Sequence, residues 1–103
     1  MRIIAGDFRG KKILQPKDKF TRPLKDLTKE SIFNIINHSN LININFKKSN
    51  ILDLFSGVGS FGLECISRGA LTVTFFENYI NSIKILKLNV SSMNVQKKIK
   101  IIE

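Results

Sequence analysis

An α/β fold carrying an incomplete parallel sheet of three strands, preceded by a β-hairpin and a helix, is predicted by three observations. First, the β-prone runs "NILDLF", "LTVTFF" and "KKIKII" alternate with the helical stretches "SFGLECISRG" and "NSIKILKLNVSS", the order that builds βαβ units. Second, three glycines at G-x-G-x-x-G spacing (Gly57, Gly59, Gly62) stand between the first run and the first helical stretch, where a strand must turn sharply into a helix. Third, 43% hydrophobic and 24% charged residues describe a folded chain, while 103 residues fall short of a full doubly wound sheet.

The elements follow in order. Residues 2–5 and 11–14 form two short β-prone arms around Gly6 and Gly10, the pattern of a hairpin with an irregular loop. Pro16 and Pro23 bound a polar loop. An amphipathic helix is expected over 24–37, with Leu27, Ile32, Ile35 and Ile36 as its apolar face and His38 at its end, where a cation suits the helix dipole. Residues 41–50 read as a linker or a short extra element. The first strand, over 50–55, is apolar enough to be buried in a parallel sheet, and the helix after it ends at Gly69. In the last helix Ile80, Ile83, Leu86 and Val90 share a face, with Lys84 and Lys87 opposite. Three segments result: 1–23, hairpin and basic loop; 24–49, covering helix and linker; 50–103, the partial sheet domain.

The formal charge is +9, from 17 Lys and Arg against 8 Asp and Glu, which favours a polyanionic partner. An AT-rich coding bias towards Lys, Ile and Asn accounts for such a charge equally well. Residues 1–30 hold nine Lys or Arg against four acids, and Arg9, Lys11 and Lys12 would project together from the hairpin. A lone Cys65 in an apolar pattern reads as a buried side chain in a reducing compartment. No apolar run has the length of a membrane span or a signal peptide, so a cytoplasmic location is expected. No metal-ligand spacing occurs.

The glycine turn aims backbone N–H groups and a helix N-terminus at a ligand beyond the carboxyl end of the sheet. Gly57 and Gly59 would let that ligand approach the backbone, and Gly62 would let the helix pack closely on the strand. Glu77 follows Gly57 by 20 residues at the end of the second strand, the place of a carboxylate that grips a ribose diol. Asp53, four residues before Gly57, would repel a pyrophosphate but attract an ammonium or sulfonium group. A nucleoside cofactor with a cationic end is therefore favoured over a dinucleotide.

"DLFSGVGSFGLECISRGA", with Glu77 after the second strand, resembles the cofactor motif of class I S-adenosylmethionine-dependent methyltransferases. Together with "MRIIAGDFRGKKI" and "TRPLKDLTKESIFNI" in this order, it resembles the RsmD group of bacterial enzymes, which methylate the exocyclic N2 of a guanine in small-subunit ribosomal RNA. The resemblance implies a Rossmann-like sheet and S-adenosyl-L-methionine as cofactor. Asp53 would then lie by the methionine end, Gly57 and Gly59 would line the cofactor, Glu77 would hold the ribose and Asn78 would border the adenine. Thr21 and Arg22 would cap the active site. Arg9, Lys11 and Lys12 would meet ribosomal RNA, free or in the assembling 30S subunit.

The group's D/N-P-P-F/Y motif, which orients the guanine amine, does not occur in these residues. No catalytic residue is therefore assigned. The remainder of the enzyme is expected in a separate C-terminal half if the gene is split, or in sequence lost to truncation or decay. Two other readings stay open: a non-catalytic RNA-binding module or decayed fragment, and, disfavoured by Asp53, part of a nicotinamide enzyme.

Overall fold

The computed structural model describes residues 1–16, 26–39, 45–54 and 56–103. Three strands, β1 (Asn50–Leu54), β2 (Thr72–Phe76) and β3 (Ile99–Ile102), form one parallel sheet in the order β1-β2-β3. The register pairs Asn50 with Thr72 and Val73 with Ile99. Helices α2 (Ser60–Ser67) and α3 (Ile80–Met93) make the crossovers. Because both crossovers advance in the same direction, a common handedness puts both helices on one face.

That face is the core. Val73 and Phe75 of β2 are fully buried beneath Leu63 of α2 and Leu86 of α3. A Cβ on Gly62 would run into the Phe75 ring and Val73, so the third glycine of the turn sets how closely α2 lies on the sheet. The opposite face has no helix over it among the described residues: Leu52 and Leu54 are 58% and 57% exposed. A parallel strand buried on both sides was expected for the first run; β1 is half-buried on one face and exposed on the other.

The N-terminal arms meet through a single antiparallel bridge, Arg2 to Lys12, with Ile3 N–H donating to the Lys11 carbonyl at 2.9 Å and Ile13 N–H to Met1 at 3.1 Å. The expected hairpin stops there because the next amides, Ile4 and Ala5, donate to the Glu64 carboxylate instead, at 2.8 and 3.0 Å. Gly6 and Gly10 both take positive φ in the intervening loop. Ile3 and Ile13 point inward and join the core.

Helix α1 (Asp26–His38) covers α2. Its inward face is not the expected apolar one: Leu27 and Ile35 are 76% and 60% exposed, while Lys29 and Phe33 are fully buried. Phe33 stacks on Phe61 at 5.0 Å and meets Phe46 at 5.7 Å. Phe46 opens a short 3-10 turn (Phe46–Lys48) within the expected linker, capped by the Asn45 side chain. At the other end of the chain, Gln96–Lys98 form another such turn, shortening the third strand to four residues.

Candidate cofactor site and basic surface

Parallel strands direct their carboxyl ends, and the loops that follow, to one rim of a sheet. Here the end of β1 leads to a turn in which Gly57 and Gly59 have φ of 56° and 91°, a left-handed backbone that glycine adopts without strain. Ser56 N–H donates to the Phe76 carbonyl at 3.0 Å, tying the turn to β2. Gly59 N-caps α2. A Cβ there would strike Leu86, so core packing as well as backbone conformation requires glycine at 59.

Glu77 organises this rim. One carboxylate oxygen accepts from Gly57 N–H at 2.8 Å; the other accepts from Asn78 and Tyr79 N–H at 3.0 and 2.9 Å, at the start of α3. A carboxylate has about four acceptor positions, and three are filled by the chain itself. The side chain is thus held rigidly, with room for one further donor. Gripping both hydroxyls of a ribose requires it to release the Gly57 amide.

Asp53 sits on the helix-covered side of β1, where its carboxylate accepts from Gly62 N–H in the first turn of α2 at 3.1 Å. Burial, aided by the nearby Glu77 charge and opposed by the Gly62 hydrogen bond, raises its pKa to about 6. Cys65 lies deeper, and burial pushes its thiol up to about 12, leaving it protonated and inert.

A cavity of about 320 Å³ opens at the same rim, lined by Leu54, Phe76, Glu77, Asn78, Ile102 and Glu103. Apolar walls beside the anchored Glu77 carboxylate suit a nucleoside in size and chemistry. The cavity brings together Glu77 and Asn78 of the expected residues. Asp53, Gly57 and Gly59 do not line it; Gly57 is joined to it through Glu77. Thr21 and Arg22 lie outside the described residues. No cluster of metal-ligating side chains occurs, and no helix is long and apolar enough to cross a membrane, among the described residues.

On the N-terminal arms, Arg9, Lys11 and Lys12 are exposed. Beneath them lies a group that sequence reading missed. Lys29 and Glu64, both completely buried, pair at 3.4 Å, and Lys29 also donates to the Arg2 carbonyl at 2.7 Å and to Ser60 at 3.1 Å. Arg68 donates to Glu64 at 2.9 Å and lies over the Phe33 ring at 4.3 Å. Burial lowers the Lys29 pKa, with the Glu64 charge opposing the shift. The available signal was the i, i+4 pair Glu64 and Arg68, which an exposed helix would show equally well.

Comparison with known proteins adds ancestry to this geometry. Residues 1–103 match the profile of the family described as Conserved hypothetical protein 95. The chain is 34% identical over 97 residues to YlbH of Bacillus subtilis, covering 94% of this chain and 50% of that protein. It is 40% identical over 77 residues to the ribosomal RNA small subunit methyltransferase D of Haemophilus influenzae, covering 75% and 37% respectively. Among solved structures, yhhF of Escherichia coli superposes with a TM-score of 0.81 at 26% identity, over 99% of this chain and 51% of that one. The chain spans about half the length, or less, of these relatives.

Proposed function

Since the chain belongs to the family described as Conserved hypothetical protein 95, we propose that it is the cofactor-binding portion of an S-adenosylmethionine-dependent methyltransferase whose acceptor is the N2 amine of a guanine in small-subunit ribosomal RNA. The observation that carries this reading is the rim of the sheet, where Glu77 is locked to the glycine turn beside a nucleoside-sized cavity. The curated relatives named as ribosomal RNA small subunit methyltransferases support the acceptor class.

The cofactor supplies a methyl group on a sulfonium centre. The chain's residues divide the work of holding it. Glu77 accepts a ribose hydroxyl at its open acceptor position and Asn78 borders the base. Gly57 and Gly59 give the turn the left-handed backbone that lays it along the ligand, and Asp53, in its ionised form, attracts the cationic amino acid end. Thr21 and Arg22 close over the site. Arg9, Lys11 and Lys12 present positive charge to the RNA.

Calorimetric titration with S-adenosylmethionine tests this. Binding by the chain, weakened by about 1.5 to 3 kcal/mol in a folded Glu77→Ala variant as charged hydrogen bonds are lost, is the expected result. Unchanged affinity in that variant refutes the ribose role. RNA binding with no response to the cofactor overturns the methyltransferase reading in favour of a plain RNA-binding module.

A further inference from the structure

A second cavity, of about 400 Å³, opens between the N-terminal segment and α1. Its polar side chains are Arg2, Arg9, Arg68, Asn34 and Glu30, three cations against one anion. Arg68 caps the C-terminus of α2 and Gly59 its N-terminus, so Arg68 lies about 13.5 Å along the helix from the glycine turn.

Arg68 makes it a built site. Its side chain is only 12% exposed, fixed by the Glu64 carboxylate on its Nε and by the Phe33 ring below its plane. Among the described residues its two Nη groups have no partner, nor do the side chains of Arg9 and Asn34. A guanidinium whose orientation is already set loses little freedom on binding, and its planar fork matches two phosphate oxygens. Arg9 adds an exposed second cation, and Lys11 and Lys12 extend the positive surface along the adjoining arm. Such an extended surface fits a polyanion better than a small ion.

We propose that this cavity seats a backbone phosphodiester of the RNA, with Arg68 as the fixed fork and Arg9 as the closing cation. The inference rests on the ribosomal RNA reading above and adds to it a contact remote from the cofactor. It fixes the position of the RNA and carries no sequence information, because phosphates are alike at every nucleotide.

The test is a salt titration of binding to a short RNA stem-loop and to an RNA of equal length and different sequence. In Arg9→Ala, the slope of log affinity against log salt is expected to fall by about 1, with equal weakening for both RNAs. Arg68→Lys keeps the charge beside Glu64 but loses the fork, and is expected to weaken both by about ten-fold. Glu30→Gln is expected to tighten both. Lys97→Ala/Lys98→Ala removes two exposed charges outside the cavity as the control.

If Arg68→Lys fails to fold, Arg9→Ala and Glu30→Gln decide the matter. Unchanged RNA binding in these variants, a loss confined to one RNA, or an equal loss in the lysine control overturns the proposal. So does inorganic phosphate binding as tightly as RNA, which would mark a site for a free anion. Titration of the same proteins with S-adenosylmethionine separates the two readings: no cofactor binding alongside Arg9-dependent RNA binding defeats the methyltransferase reading and leaves the phosphate seat standing.

Discussion

Asp53 is costly to the fold in the state that would hold a cation. Its pKa is about 6 in the folded chain against an ordinary 3.8, so the folded state holds the proton more tightly than the unfolded state. Stability therefore falls as pH rises from about 4 to about 6 and levels off above. Asp53→Asn still offers an oxygen to Gly62 and removes the buried charge. It is expected to flatten that pH dependence in urea unfolding and to gain roughly 2 kcal/mol at pH 8, allowing for partial exposure, while losing cofactor affinity. The wild-type chain should bind the cofactor more weakly below pH 6, as Asp53 protonates. Glu64 has the opposite character: its carboxylate holds Ile4, Ala5, Lys29 and Arg68 together. Glu64→Ala should cost about 3 to 5 kcal/mol, since it strands a buried ammonium, measurable by the same unfolding curves. The placement of Asp53 and Glu77 beside the glycine turn was legible in the sequence, because each stands at or near the end of a β-prone run at a fixed distance from the glycines. Lys29 and Glu64 were not, because a charged residue on a helix reads as solvated until its partner, 35 positions away in the chain, is known.

The elements themselves were more legible than the faces they bury. All three strands and both crossover helices appear where alternation placed them, with ends shifted by a few residues. Backbone pattern is local, and strand and helix periods differ enough to separate. What α1 buries is not local: Lys29, Phe33 and Ile36 form its inward stripe because an acid waits on α2, while Leu27 and Ile35 stay exposed. The arms pair as expected but only briefly, with the Ile4 and Ala5 amides given to Glu64. At the α2 to β2 contact, Gly62→Ala should destabilise the chain by about 1 to 3 kcal/mol through overpacking against Phe75. A thermal melt equal to wild type would mean that α2 can move away from the sheet without penalty.

For the whole molecule, the distribution of apolar surface matters most. The arms and all three helices lie on one side of the sheet, and Leu52, Leu54, Phe76 and Ile102 line the other. β1 is also an edge strand, pairing only with β2 among the described residues. An edge beside an exposed apolar face promotes association between chains. Light scattering of this chain should rise with concentration, and Leu52→Thr, outside the cofactor cavity, should reduce it without changing cofactor affinity. Equal scattering in this variant would assign association to another surface. The alternation of elements made the three strands legible, but left open which face would be bare.

The bond from Glu64 to Ile4 spans 60 residues, and that span sets an order of events during synthesis. The basic arm leaves the ribosome before α2, yet its amides have no carboxylate to meet until α2 has been made and has turned into place. Contacts this distant in sequence form late, because the intervening chain must close a large loop before they can help. The arm is therefore translated ahead of its partner and is among the last segments to acquire its shape.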